Sequence, residues 1–270
     1  MCRPVFAKTS LIIAALLVLA LYGRAPAMEN PKIFRGVLLL EGKIVRGDYG
    51  RLRGLFSDKS TFDKVSGGVF LASPGGDVAE AIKIGRLLRA LQLSTEAPSG
   101  ERHGWKQNLS AIGADDLRDP RNYGCASACF LLFAAGIHRN VNWAGRLGIH
   151  RPFRLQGNSM ALNPDDDPFI DTAVRGAIEN YLREMDVPEK YVNFMFAIPS
   201  GRVRWISQRE LDADLDGFIP GLKHIVDRQC SAEAQPPPAE KNMADCRTDV
   251  GFRLRSELPA QAWPKVFGGR

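Results

Sequence analysis

The chain has little of what a metal or nucleotide site requires. Its 270 residues include five cysteines and four histidines, which are too few and too scattered for a metal framework. The single Cys-x3-Cys at Cys125 and Cys129 has no matching second pair of the kind that structural zinc sites use. The Pro-Gly-Gly turn at residues 74–76 is not followed by the Gly-Lys-Ser/Thr of a phosphate-binding loop. We therefore expect no metal and no cofactor.

A strong net charge is also missing. The formal charge is +6, and the first 27 residues contribute three positive charges and no acid, so the remainder carries +3. There is no basic stripe with interleaved aromatic residues, and nucleic acid is therefore not an expected partner. The composition, 45% apolar and 24% charged, is that of an ordinary globular domain with ample length to bury a core.

The N-terminal hydrophobic run is too short to span a membrane. It covers residues 11–22, whereas a spanning helix needs roughly 20 apolar residues. A basic start precedes it, and Ala25-Pro26-Ala27 follows it as a small-residue cleavage site. We interpret residues 1–27 as a signal peptide cleaved after Ala27, in preference to a retained anchor. The protein is then exported, and the periplasm is its expected compartment.

Export places the remaining four cysteines in an oxidising compartment, where disulfides persist. Cys230 and Cys246 lie in a polar, proline-rich stretch at residues 226–270, which we predict to be a tail with little core of its own. We predict a disulfide between them, which would stabilise the fold by about 3 kcal/mol in the chain-entropy model. Cys125 and Cys129 are either buried thiols or a local bridge beside Ser127.

Between residues 28 and 225 the apolar pattern alternates between strand and helix. The predicted strands are residues 33–41, 69–72, 93–96, 141–143, 147–149 and 203–207, and the predicted helices are residues 48–56, 79–91, 130–135, 169–185, 188–196 and 208–212. The unalternated apolar strands are typical of a sheet buried on both faces. The alternation predicts a parallel α/β architecture.

Three short segments carry the chemistry. A strand runs into Ser73-Pro74-Gly75-Gly76, Ser127 stands among small residues before an apolar helix, and the strand at residues 147–149 ends at His150. Ser127 taken alone is better explained as a helix N-cap. The three segments in this order resemble the ClpP-like serine peptidases of the ClpP/crotonase superfamily. Cys-Ala-Ser-Ala-Cys and Gly-Ile-His-Arg-Pro resemble the predicted periplasmic ClpP-like proteins more narrowly.

The resemblance covers roughly residues 33–225 and implies a ClpP/crotonase-like spiral of repeated ββα units. It implies Ser127 as the nucleophile, His150 as the general base, and the backbone N–H groups of Gly76 and Ala128 as the oxyanion hole. Glycine at 76 suits a close approach of substrate to the backbone. The expected activity is that of a serine hydrolase acting on flexible peptides or other acyl substrates.

The third member of a catalytic triad is unknown. The family has an aspartate before an Arg-aromatic-aliphatic-Ser segment, and here Val203 holds that place, before Arg204-Trp205-Ile206-Ser207. The alternatives for orienting His150 are Asp171, Asp186 or Asp214, a water, or a backbone carbonyl. Because loss of the aspartate can cost several orders of magnitude in rate, a non-catalytic scaffold or binding protein is the competing hypothesis.

Two further expectations concern partners and an insertion. An exported protein has no ATP supply, so we expect no ATPase partner. Family members often assemble through the helix after the histidine, here residues 169–185, so a homo-oligomer, a trimer or larger, is an expectation of the resemblance. Residues 98–124 interrupt the family pattern, either as a lid or specificity element or as a tolerated surface insertion.

Overall fold

The computed structural model describes residues 28–65, 67–97, 124–141, 146–152, 168–199, 201–231 and 243–269. The predicted signal peptide and nearly all of the insertion at residues 98–124 lie outside these ranges. Within them, no helix combines the length and apolar character that crossing a membrane requires.

Strands and helices alternate along most of the chain. The strands are β1 (Glu29–Phe34), β2 (Val37–Glu41), β3 (Gly68–Ala72), β4 (Thr95–Ala97), β5 (Cys125–Ala126), β6 (His138–Val141), β7 (Leu147–Ile149), β8 (Arg204–Trp205) and β9 (Gly217–Phe218). The helices are α1 (Asp48–Ser57), α2 (Lys59–Phe62), α3 (Val78–Ala90), α4 (Ala128–Ala134), α5 (Pro168–Glu184), α6 (Lys190–Ala197), α7 (Gln208–Glu210), α8 (Pro220–Gln229) and α9 (Met243–Phe267), with a π-helical turn at Leu211–Leu215.

The strands form two sheets. The larger sheet has the order β1-β2-β3-β4-β6-β9, with parallel pairing from β2 to β6 and an antiparallel strand at each edge. The smaller sheet has the order β5-β7-β8, in which β5 and β7 are parallel and β8 is antiparallel. The mixed α/β class predicted from the sequence is confirmed.

Helix α4 lies at the centre of the core, because all seven of its residues are buried. Such a helix is apolar on every side, as expected when elements pack around it completely. Helix α5 is fixed to it by Tyr181, whose hydroxyl donates to the carbonyl of Leu131 at 2.7 Å. That hydroxyl occupies the space left by Gly85 of α3, where a Cβ would come within 1.8 Å of it.

The segment predicted as one strand over residues 33–41 is a hairpin. Strands β1 and β2 pair antiparallel, with Phe34 opposite Val37. The turn consists of Arg35 and Gly36, with φ of 48° and 82°. Positive φ at both central residues is the conformation that two-residue hairpins favour, and the Arg35-Gly36 pair between two apolar runs was its sequence signal.

The C-terminal region differs from the predicted tail. Helix α8 crosses the boundary predicted at residue 226, and α9 is a 25-residue helix. At its C-terminal end, the Trp263 indole N–H donates to the carbonyl of Phe56 at 2.8 Å. Few residues of α9 are buried, among them Val250 and Phe267. This sparse burial explains why the composition alone resembles a tail.

Candidate active site

Ser127 lies between β5 and α4 in an unusual backbone conformation, with φ 58° and ψ −127°. Non-glycine residues rarely adopt positive φ, and such conformations persist when the surrounding structure holds them. One restraint is the Ser127 backbone N–H, which donates to the carbonyl of Gly148 in β7 at 2.9 Å. Because β5 and β7 are parallel, Ser127 and His150, which directly follow these strands, lie at the same edge of the small sheet.

The Pro-Gly-Gly turn packs directly against Ser127. Ser73 pairs with Cys125 in a parallel bridge, and its hydroxyl accepts from the backbone N–H of Gly75 at 3.1 Å. A Cβ on Gly75 would lie 2.6 Å from the Cβ of Ser127. The structure therefore brings together the first two segments that the sequence singled out.

Gly76 is required by packing within the protein. Its φ is 147°, and a Cβ there would come within 2.0 Å of the Ile44 carbonyl oxygen. Ile44 binds both sides of this glycine, donating to the carbonyl of Gly75 and accepting from the N–H of Asp77, each at 2.9 Å. The expectation from the sequence was that glycine serves the approach of substrate. The close contact with Ile44 is a sufficient reason by itself.

Gly76 and Ala128 carry the two backbone N–H groups that were predicted as the oxyanion hole. Among the described residues, neither Gly76 nor Ala128 donates a backbone hydrogen bond. Ala128 is the first residue of α4, where the N–H has no intrahelical partner. Both groups are therefore available to an oxyanion.

His150 is buried, with 7% of its surface exposed. Its Nδ1 lies 2.8 Å from the backbone carbonyl oxygen of Arg151. A carbonyl oxygen can only accept, so Nδ1 must carry the proton, and in the neutral ring Nε2 carries the lone pair. Burial lowers the pKa of His150 below its usual value, although the bond to Arg151 opposes that shift. A neutral ring whose Nε2 carries the lone pair is the form that a general base needs.

Arg151, whose carbonyl orients His150, is held in place by hydrogen bonds to the C-terminal end of α6. The Arg151 N–H donates to the carbonyl of Ile198 at 2.9 Å. Its guanidinium donates to the carbonyl of Phe196 at 2.9 Å from Nε and 2.7 Å from Nη2. A backbone carbonyl was one of the orienting groups that the sequence left open.

Val203 lies beside this site. Antiparallel pairing places Gly148 opposite Trp205 and Ile149 opposite Arg204, so one further step of the register places His150 opposite Val203. A Cβ on Gly148 would come within 2.5 Å of the Val203 side chain. Gly148 and His150 are two residues apart and share a face, which puts Val203 on the face of His150.

Two of the candidate substitute acids bind other groups. Asp186 accepts from Arg89 at 3.1 Å. Asp214 accepts from the Tyr191 hydroxyl at 2.9 Å and forms an ion pair with Lys190 at 2.5 Å. The side chain of Asp171 lies outside the described residues.

Cys125, Cys129, Cys230 and Cys246 all form disulfides. Cys125 and Cys129 are bonded to each other, and both are fully buried. Of the two alternatives left open by the sequence, this is the local bridge beside Ser127. Cys230 and Cys246 form the second disulfide, the pairing that the sequence favoured. Within the described ranges, no three potential ligand side chains come together to hold a metal ion.

Two arginines that the sequence analysis did not single out bind the carboxyl end of α4. Arg89 donates from Nε to the carbonyl of Ala135 at 2.8 Å, and Arg139 donates from Nε to the carbonyl of Ala134 at 3.1 Å. Burial lowers the pKa of Arg139 to about 10, and it remains cationic at neutral pH. Cations at this end satisfy free carbonyls and complement the helix dipole.

Comparison with known proteins gives the following. No protein-family model matches the chain, and no curated protein matches it. Among solved structures, it is similar to a ClpP1 mutant from Listeria monocytogenes, with 14% identity, a TM-score of 0.40, and coverage of 66% of this chain and 86% of that one. It is also similar to a mutant of the 1510-N membrane-bound stomatin-specific protease, with 12% identity, a TM-score of 0.45, and coverage of 67% and 76%.

Proposed function

We propose that the protein is an exported ClpP-like serine hydrolase that acts on peptide or other acyl substrates through Ser127 and His150. The observation that carries the proposal is the parallel pairing of β5 with β7. The hydrogen bond from the Ser127 N–H to the Gly148 carbonyl, at 2.9 Å, extends this pairing to the serine. The pairing brings Ser127 and His150, which are 23 positions apart in the sequence, to the same edge of the small sheet. A serine at the same sheet edge as a neutral, oriented histidine supports the assignment of these two residues as nucleophile and base.

In the proposed reaction, Nε2 of His150 takes the proton of the Ser127 hydroxyl as Oγ attacks the acyl carbon. The oxyanion accepts hydrogen bonds from the N–H groups of Gly76 and Ala128, each typically worth ~3 kcal/mol in the transition state. The imidazolium then protonates the leaving group, and water releases the acyl group by the reverse sequence. The Arg151 carbonyl fixes the tautomer but carries no full charge, so we expect slower turnover than an aspartate-supported triad gives.

The test is labelling of the mature protein with a fluorophosphonate, which reacts with activated serines. Labelling that disappears in Ser127→Ala and falls sharply in His150→Ala supports the hydrolase. Ser110→Ala is a matched control, since this serine lies in the stretch of residues 98–124 and outside the three segments. Equal labelling of wild type and Ser127→Ala would reject the proposal.

A scaffold or binding protein without catalysis is the second candidate, and Val203 favours it. This residue lies where the family has its aspartate, and its side chain is 38% exposed. Such a protein would keep the fold without catalysing hydrolysis. It would bind an unfolded peptide, and Ser127 would not be labelled. The same experiment therefore separates the two functions when peptide binding is measured in parallel.

The finer architecture, the compartment and the partners are also parts of this proposal. They comprise the ClpP/crotonase-like spiral over residues 28–225, secretion to the periplasm, and the absence of an ATPase partner. N-terminal sequencing of the exported protein should begin at Met28.

A homo-oligomer built through α5 is proposed from the resemblance. The apolar residues of that helix fall into two groups. Ile178, Tyr181 and Leu182 are buried in the protein's own core, whereas Ala173 and Ala177 are exposed. Any contact along the exposed part would use small residues. Light scattering of the mature protein measures the oligomeric state, and a monomer at all concentrations would reject it.

A further inference from the structure

The Cys125–Cys129 disulfide forms a very small ring with Ser127 at its centre. Cys125 belongs to β5 and Cys129 to the first turn of α4. The ring therefore ties the strand before the serine to the helix after it. No other covalent link among the described residues reaches this part of the chain, because the second disulfide joins Cys230 to Cys246.

The backbone of Ser127 needs such a restraint. Its φ of 58° and ψ of −127° lie in a region that a non-glycine residue occupies only when its surroundings hold it there. The hydrogen bond to Gly148 restrains the serine from β7, and Gly75 packs against its Cβ. Neither contact fixes the angle at which the chain enters α4, and the disulfide does.

We propose that the Cys125–Cys129 disulfide is a positioning element for Ser127, and that Ser127 reaches full reactivity with acyl substrates only while the bridge is closed. This inference rests on the proposed hydrolase function. With the bridge open, the first turn of α4 is free to relax. The Ser127 hydroxyl then leaves the line of attack, and displacements of about 1 Å can cost a hundredfold in rate.

The surroundings of the two disulfides distinguish their roles. Both sulfurs at Ser127 are buried in the main core, whereas Cys246 is half-buried and belongs to a separate apolar cluster with Val226 and Val250. Buried sulfurs are poorly accessible to thiols. The bridge at Ser127 should therefore be reduced more slowly than the Cys230–Cys246 bridge, which is a matched control for the loss of a disulfide.

A single tryptic peptide reports both quantities that the test needs. Cleavage after Arg121 and Arg139 releases residues 122–139, which contain Cys125, Ser127 and Cys129. The native protein is partly reduced, treated with fluorophosphonate and then alkylated with iodoacetamide. Mass spectrometry of this peptide should find the fluorophosphonate on disulfide-closed peptides and at least about tenfold less of it on doubly alkylated ones.

Variants provide the kinetic readout. In Cys125→Ala/Cys129→Ala, the maximal labelling rate at saturating probe should fall at least about tenfold, with the half-saturating concentration and the acid limb of the pH profile unchanged. That limb reports His150, which lies outside the ring. In Cys230→Ala/Cys246→Ala, the maximal rate should stay within about twofold of wild type, although the melting temperature falls.

Each remaining outcome counts against a specific claim. Equal labelling of closed and alkylated peptides would overturn the positioning role. Loss of the native circular dichroism in the Cys125→Ala/Cys129→Ala variant would also overturn it, because the bridge would then hold the fold rather than the serine. Absence of labelling in the oxidised wild type would instead reject the hydrolase proposal.

Discussion

Replacing Gly75 with alanine tests whether the Pro-Gly-Gly turn holds Ser127 in place. A Cβ at this position would lie 2.6 Å from the Ser127 Cβ and 2.8 Å from both the Ala126 carbonyl oxygen and the Ala128 nitrogen. Its φ of +97° is also one that alanine rarely adopts. Gly47 is a matched control, because its φ is +101° and a Cβ there would meet nothing within 4 Å.

The two variants share one cost and differ in another. Forcing alanine to positive φ costs on the order of 1 kcal/mol in either case. Overpacking against backbone adds about 2 kcal/mol at Gly75. We therefore expect Gly75→Ala to lower the free energy of unfolding by about 3 kcal/mol and Gly47→Ala by about 1 kcal/mol. For a domain of this size, the difference corresponds to a gap of roughly 4–8 °C in melting temperature.

Thermal and urea unfolding of the two variants measure this gap, and fluorophosphonate labelling of the folded proteins measures its effect on Ser127. The labelling rate should fall in Gly75→Ala and remain that of wild type in Gly47→Ala. Equal melting temperatures for the two variants would refute the reasoning, because the clash with Ser127 would then be relieved without cost.

Three further predictions follow from the same structure. Val203→Asp should raise steady-state turnover of an activated ester about tenfold, because an aspartate opposite His150 would attract the imidazolium by roughly 1.4 kcal/mol in a partly solvated site. Replacing Cys230 and Cys246 with alanine should lower the free energy of unfolding by about 3 kcal/mol in urea titrations, since the bridge closes a loop with a sequence separation of 16. Burial lowers the pKa of His138 from 6.5 to about 4, so its unfolded form takes up a proton first as the pH falls. The contribution of His138 to stability should fall by about 3 kcal/mol between pH 6.5 and 4, so over this range the unfolding free energy of wild type should fall by that amount relative to His138→Gln.

Each of these has a control. Val203→Asn has the shape of the aspartate without its charge, and equal turnover of the two variants would contradict the electrostatic argument. An unchanged urea midpoint after loss of the Cys230–Cys246 disulfide would mean that α9 is held in place by its other contacts. Glu96 shifts the pH dependence the other way, because burial raises its pKa to about 7. It is present in both His138 proteins, so parallel stability curves for them would contradict the prediction.

The sequence predicted which segments form helices and strands better than it predicted where those elements end or turn. Helix α3 was expected at residues 79–91 and lies at Val78–Ala90, and β7 was expected and found at Leu147–Ile149. The hairpin at Arg35 was missed because only the Arg35-Gly36 pair separates the two apolar runs, which together have the length of one strand. Helix α9 was missed because its contacts, such as the Trp263 bond to Phe56, join residues 207 positions apart.

The sequence predicted the separate segments of the candidate site but not how they come together. Ser127, His150 and the Pro-Gly-Gly turn were chosen from residue type, local pattern and order. Their neighbourhood came from long-range pairing, including the bridges of Ser73 with Cys125 and of Ile44 with Gly76. The carbonyl of Arg151 as the partner of His150 had no sequence signal of its own, since every residue has a carbonyl.

By itself, the sequence determined the alternation of strands and helices, the small residues around Ser127 and the absence of an acid at Val203. These are properties of neighbouring residues, and apolar periodicity or residue identity reports them directly. The tertiary structure decided that β5 pairs with β7, that Cys125 bonds to Cys129, and that Gly76 is required by Ile44. Those features depend on which distant backbone groups meet, and hydrogen bonding and packing settle that choice over the whole fold at once.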